Sequence, residues 1–286
     1  MKLSPPLLKA KQPCAGGYRW YLRNRHRSTD YQHLLDALVK DGRLPDALWL
    51  LDKFGPTDQI LRLQSLDVDA IVFAGTIQVL GCAHADLVIR AGGQVRVAGS
   101  VHVGEALVAG GGIEVGGGVQ CRTLIGGGDV RVGWSLCSEQ DIRCDGRLLV
   151  RADVHCGGKL MAGGDVVAGE SVSCGSSVHC GQGLRVGGDL RCGDALSAGH
   201  GVVAGGSITV ADHISTSWGI KTGRDLRCGG AIRSGEGVEA GHLIVAGKGF
   251  GVYAGLNIRR EDWPTSARVS AVVPPENLFS GHWESL

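Results

Sequence analysis

The chain has 286 residues, with 48 glycines, 5% aromatic residues and a formal net charge of +1. So balanced a charge gives no bulk electrostatic pull toward nucleic acid or an anionic membrane. Glycine at more than twice its usual share of about 7%, beside only eight prolines and 43% apolar residues, excludes collagen and disorder and points to a tightly turned, repetitive β structure.

The N-terminal run MKLSPPLLKAKQPC is basic but lacks the apolar core of a secretory signal. No stretch approaches the roughly 18 apolar residues of a membrane span. The ten cysteines are therefore expected as thiols in a cytoplasmic protein. Residues 1–70 read as a basic segment followed by a helical cap. The segment carries Tyr18, Arg19, Trp20, Tyr21, Arg23, Arg25 and Arg27. Ser28 or Thr29 is expected to cap a helix whose apolar residues Tyr31, Leu34, Leu35 and Leu38 share one face, with Gly42 stopping it. Pro45 then opens a second helix through Ala47, Leu48, Leu50 and Leu51, which Gly55-Pro56 ends. Leu61, Leu63, Leu66 and Val68 alternate as in a strand that leads into a repeat.

Residues 71–249 carry a six-residue repeat, free of proline as stacked strands require. An aliphatic residue recurs every sixth position from Leu124 to Ile244 without a slip. An earlier run from Ile71 to Val119 keeps the period with a phase one residue off, so the chain loses a residue near Val119–Thr123. The hexad reads aliphatic, variable, small, Gly, variable, variable, as in LRVGGD and LRCGDA. Strand alternation places its first and third positions inward and its second outward, and glycine at the fourth allows a turn where a Cβ would clash. Cys156, Cys174, Cys192 and Cys228 fall at multiples of 18, which implies three hexads per coil. The expected fold is a mainly β, single-stranded parallel β-solenoid, triangular in section, of about ten coils and roughly 50 Å length at ~4.8 Å per coil.

Open coil ends expose unpaired edges and need covers. The helical segment serves one end. Residues 250–286, where Phe250, Tyr253, Trp263, Phe279 and Trp283 restore the aromatics missing from the repeats, serve the other as an aromatic β cap, with strands expected at Asn257–Arg259 and Ala267–Val273.

The chemistry-bearing residues fit architecture. The third-position cysteines alternate with Ser138 and Val210 as small buried groups, no CxxC occurs, and no histidine is placed to complete a zinc site, so neither metal nor cofactor is expected. His102, His155 and His179 sit at outward positions. A hexapeptide acyltransferase would use such a histidine as general base, but would also carry an excursion loop, for which the unbroken 124–249 run leaves no room. Asp129, Asp141, Asp153, Asp165, Asp189 and Asp225 end hexads, where Asp suits a turn, and the nine-residue period of a calcium repeat is absent. Tyr18–Arg27 could contact RNA but finds no matching basic stripe on the repeats.

The outward second positions divide by face. Only one face, with Arg131, Leu149, Val167, Arg185, Val203, Lys221 and Glu239, carries a run of exposed aliphatics. Such a stripe is covered by the chain's own tails, by a second copy, or by a partner protein. Trp134 and Trp218 fall at turn positions and read as contact anchors. The candidate partner-contact residues are thus Trp134, Trp218, Leu149, Val167, Val203, Tyr253 and Trp263.

The hexad run resembles the bactofilins, bacterial cytoskeletal proteins with a β-helix core, and that resemblance implies polymerisation. The departures are the helical unit at His33–Phe54 and the aromatic unit at Gly249–Trp283, which look like dedicated covers. With DALWLLDKFGPTD and GFGVYAGLNIRREDWP, the layout also resembles immunity proteins of bacterial polymorphic-toxin systems, which implies neutralisation of a toxin by binding. The expectation is a non-enzymatic binding protein that occludes a protein partner such as a toxin. A polymer and an acyltransferase are the alternatives.

Overall fold

The structure, a computed structural model, describes residues 1–24 and 29–286. Arg25 and Arg27 of the basic segment, and Ser28, lie outside the described residues. The chain forms a parallel β-solenoid with three faces, here A, B and C in the order the chain visits them. Face A stacks thirteen strands, from Ile60–Leu63 to His282–Ser285. Faces B and C are joined in one hydrogen-bonded sheet, because the long strands Leu66–Phe73 and Ala83–Ala91 bend around the corner between them. Thirteen turns exceed the ten expected: strands Ile60–Leu63 and Leu66–Phe73 precede the regular hexads, and the ladder continues past Gly249.

The hexad arithmetic translates directly into register. Leu148 lies beside Val166, Val154 beside Val172 and Leu160 beside Val178, each 18 residues on. Along nearly every strand the first and third residues are buried and the second is outward. Ile142, Leu148, Leu160 and Val166 are fully buried, each worth about 1.5–3 kcal/mol by removal of apolar surface from water. The lost residue is found at the B/C corner after Val119–Cys121. Arg122 N–H and Thr123 N–H both donate to the Glu105 carbonyl, at 3.1 and 2.9 Å, so two corner residues do the work of three. Neighbours are 17 apart there (Leu107 beside Leu124, Val119 beside Leu136) and 18 apart thereafter. The Arg122 guanidinium clamps the shortened corner between Glu105 and Glu139.

Among the described residues, four helices form a head that packs at the N-terminal end against the Leu66–Phe73 strand: α1 (Pro5–Ala10), α2 (Ala15–Asn24), α3 (Tyr31–Lys40) and α4 (Leu44–Phe54). Asp30, rather than Ser28 or Thr29, caps α3, its carboxylate accepting from Gln32 N–H at 3.1 Å and His33 N–H at 3.4 Å. Helices α1 and α2 carry no strong signal in the sequence; Tyr21, from the basic segment, is buried and donates its hydroxyl to Leu3 O. The head has its own core, in which Leu34, Leu35, Leu38, Leu50 and Leu51 meet Val72 and Ala74 of the solenoid. Gln32 closes the sheet edge below: its amide donates to Val72 O (3.0 Å) and accepts from Ala74 N–H (2.8 Å). That side chain replaces the missing strand.

The C-terminal region continues the ladder instead of plugging it as a separate cap. Val252–Tyr253 stacks on face C, Arg268–Ala271 on face A, then Leu278–Ser280 and His282–Ser285 above them. Asn257–Arg259 is turn rather than strand. It belongs to an excursion between Ala254 and Ala267 that leaves the C/A corner, with a 3-10 turn at Arg260–Asp262 and helix α5 (Trp263–Ser266). Gly255, at φ +72°, supplies the left-handed residue that starts the departure, and Asn257 Nδ2 ties it back to Ser217 O at 2.9 Å. Among the described residues, no helix is long and apolar enough to cross a membrane.

Candidate functional site

The polar residues that look chemical are first consumed by the ladder. Cys156, Cys174 and Cys192 point inward, and their thiols donate to the corner carbonyls of Gln140, Gly158 and Ser176, 16 residues earlier, at 3.1–3.2 Å. Ser138 and Ser234 do the same with hydroxyls, to Arg122 O and Trp218 O. In these coils the third-position group also satisfies a corner carbonyl, while Val210 and Ala162 hold the same position with no donor, so the common requirement is a small buried group. Burial pushes the Cys121, Cys144 and Cys180 thiols up to about 12, so they are unreactive where they sit.

The hexad-end aspartates form a second device. Asp129, Asp141, Asp153, Asp165 and Asp189 each accept a backbone N–H one coil on, from Arg147, Lys159, Ser171, Gly183 and Ser207, at 2.8–3.1 Å. The Arg147 side chain on Asp129, the Ser207 N–H on Asp189 and the His242 ring on Asp225 hold these carboxyls below the usual range. Among the described residues, no group of three or more His, Cys, Asp or Glu side chains converges as a metal site.

What the ladder leaves over lies along face A. A shallow groove of about 850 Å³ runs from Gln78 past Arg96, Glu114 and Arg131 to Leu149 and Val167. A second, of about 640 Å³, continues over Val203, Lys221 and Glu239 to Glu284. Trp218 and Thr265–Ser266 of α5 both stand along its C/A edge, so the excursion builds up that rim of face A. The outward row reads Leu149, Val167, Arg185, Val203 in consecutive coils. Leu149 and Val167 are half-buried by ladder neighbours and Val203 is exposed. The helical head packs at the Leu66–Phe73 strand and α5 at the last two face A strands, both away from this row. Arg185 stands among the aliphatics with no ion pair or hydrogen bond among the described residues, and Arg151 beside them is equally free. Toward each end the row turns charged, with Arg131 on Asp129, Lys221 on Glu239 and Arg268 on Glu284.

Four of the seven expected contact residues, Leu149, Val167, Val203 and Trp218, therefore line one surface. Trp218 is 51% exposed at the C/A corner and stacks on His200, centroids 4.1 Å apart, so its ring is held as a fixed wall. Trp134, 65% exposed at the A/B corner, leans over face B beside the stacked pair His84–His102. Tyr253 lies on face C, stacked on Phe279 with Arg233 over its ring. Trp263 turns to its own excursion, Nε1 donating to Ile258 O at 3.3 Å. The sequence reading missed Arg185 as a free cation at the centre and α5 as a wall. The first was legible from the outward row; the second needed the path of the excursion.

No protein-family model, no curated protein and no solved structure matches this chain. Fold and site together define a β-solenoid with a helical head packed at one end and one long, apolar-centred outward face.

Proposed function

We propose that the chain is a non-enzymatic protein-binding solenoid that acts by occlusion, with neutralisation of a bacterial toxin as the preferred role. The observation that carries this reading is the Leu149–Val167–Arg185–Val203 row: an apolar centre with a free guanidinium, a charged border and, among the described residues, no segment laid over it. Protein interfaces are built in this pattern, with anchors at the centre and a polar rim. The ladder fixes each of these side chains at ~4.8 Å spacing, so the face is preorganised and binding costs little ordering. The complementary surface presents apolar side chains around a carboxylate that meets Arg185.

Gln32 occupies the edge of the Leu66–Phe73 strand, so that edge is not free to pair end to end, which supports this reading over a bactofilin-like filament. The inward use of cysteine and the laddering of aspartate support it over an acyltransferase. The test is co-expression with the product of the gene adjoining this chain's own. If that product halts growth, the intact chain should restore it and Val167→Asp or Arg185→Glu should not. Restoration by both variants at equal protein level would overturn the face A assignment. A neighbour without toxicity would overturn the toxin role.

A further inference from the structure

The helical head holds a pocket that its described side chains leave unfilled. It lies between helices α1 and α2 on one side and α3 and α4 on the other, with a volume of about 410 Å³. Protein interiors close to crystal-like density and leave few voids larger than a water molecule, so a gap of this size in an apolar core is unusual. Six buried residues form its floor: Leu3, Leu8, Tyr21, Leu34, Leu38 and Leu50. The half-buried indoles of Trp20 and Trp49 also line it. The residues at 25–28, RHRS, lie outside the described ones and bring no apolar side chain to fill it.

The mouth is a defined structure. Gln12, at φ +56°, sits in the left-handed region that favours glycine and turns the chain out of α1 into Pro13 and α2. Cys14 Sγ accepts Gly17 N–H at 3.1 Å and donates to Asp46 Oδ1 at 3.4 Å, which pins this exposed rim to α4. An added Cβ at Gly17 would lie 3.0 Å from that carboxylate oxygen, so a glycine lets the first turn of α2 come this close to α4. The polar groups nearby are already engaged. The Tyr21 hydroxyl donates to Leu3 O and the Trp20 indole to Asp41 Oδ2, each at 2.8 Å, and Asp46 pairs with Arg43. A charged ligand would find nothing on the floor to replace its water.

We propose that the head binds one uncharged, apolar small molecule here, of on the order of 15 non-hydrogen atoms by comparison with the benzene that fills an apolar cavity of about 150 Å³. The volume falls within the ~300–1,000 Å³ usual for ligand pockets. The Trp49 indole N–H and the Gln12 amide, with no partner among the described residues, are left for a single polar atom on the ligand. The site is separate from face A. Its occupant joins α1 and α2 to α3, the helix whose Gln32 closes the Leu66–Phe73 edge, and so stabilises the folded head by mass action.

N-Phenyl-1-naphthylamine, an uncharged fluorophore of this size class, tests the proposal on the full chain. Its fluorescence should rise to saturation at one probe per chain, and the thermal melt should rise with probe concentration. Leu38→Phe, which fills the pocket from its floor, should weaken binding at least tenfold while the melt of the free chain holds or rises. Alkylation of Cys14 with N-ethylmaleimide perturbs the mouth without any refolding. It should block the probe, and in Cys14→Ser the same treatment should make no further difference. Absence of saturable binding, several probes per chain, an affinity unmoved by both Leu38→Phe and alkylation, or tighter binding of the anionic 1-anilinonaphthalene-8-sulfonate would each overturn the proposal.

Discussion

The corner glycines give the most quantitative test of the coil geometry. At Gly187, in the fourth hexad position, an added Cβ would overlap the carbonyl oxygen of Gly169 in the coil below and lie 2.8 Å from that carbonyl's carbon. Both atoms are backbone, and Gly187 N–H is itself held by Ala168 O at 3.0 Å, so relief requires one coil to move off the other. Gly183, four residues earlier at the end of its hexad, offers a control. Its added Cβ would meet Asp165 Oδ1 at 3.3 Å and Gly201 O at 3.7 Å, close to ordinary contact. Neither residue has a left-handed φ, so the difference between them is purely steric. Gly187→Ala should cost about 1–3 kcal/mol, the usual range for forcing a methyl into packed structure. The upper bound is set by the fold itself, because Arg151 occupies the same A/B corner two coils earlier, and Ala211 and Ser217 hold the fourth hexad position at the other two corners. Gly183→Ala should be near neutral, its contact offset by the roughly 0.4–1 kcal/mol gained by restricting the unfolded chain. Urea titration followed by far-UV circular dichroism measures both, with the midpoint shifted and the slope unchanged for Gly187→Ala. Equal midpoints for the two variants would refute the claim that fourth-position glycine is demanded by the stacked carbonyl.

Further expectations concern the head, the thiols and pH. Gln32→Ala should free Val72 O and Ala74 N–H and cost about 1–3 kcal/mol, seen as faster hydrogen exchange at Ala74 with the Leu124–Ile244 coils unaffected; unchanged exchange would show that Gln32 does not close the edge. Under native alkylation at neutral pH, Cys14 and Cys82 should be labelled and the seven buried cysteines should not; early labelling of Cys156, Cys174 or Cys192 would contradict their inward placement. Thiols raised to about 12 favour the neutral form in the folded state, so stability should hold below the ordinary thiol value and fall as pH climbs from there toward 12. Asp129, Asp189 and Asp225 are lowered, so their contribution is full above the ordinary carboxylate range and lost as pH falls through it; chemical denaturation between about pH 3 and 6 should show the decline, and a flat profile would contradict it.

Much of the fold was legible because one physical requirement repeats. Every coil must bury its first and third positions, so a period of six and a spacing of 18 in the cysteines determine faces and register before any coordinates. Even the deleted residue could be placed, since a phase change needs a corner. The features that escaped lack a period. Helix α2 begins Ala15-Gly16-Gly17, a poor helix signal, and is held by the packing of Tyr21 in the head rather than by propensity. Gln32 is one polar residue on an otherwise ordinary helix, and its role exists only because the Leu66–Phe73 edge arrives beside it. The Asn257–Arg259 strand failed for a local reason: Gly255 turns the chain out, and Trp263-Pro264 opens a helix, so alternation there never meets a ladder. The placement of the candidate contact residues on the faces was half legible for the same reason. Leu149, Val167 and Val203 follow from counting, whereas Trp134, Tyr253 and Trp263 were grouped with them by residue type, and the coil geometry sends each to a different surface.

The claim at the centre is that face A is the docking surface. The direct measurement is the affinity of the purified chain for the protein encoded beside it, compared across one substitution on each face. Val167→Asp on face A should weaken binding at least a hundredfold, about 2.7 kcal/mol, while Thr209→Asp on face B and Ser197→Asp on face C stay within threefold. Loss of binding through face B or face C, with Val167→Asp unaffected, would contradict it.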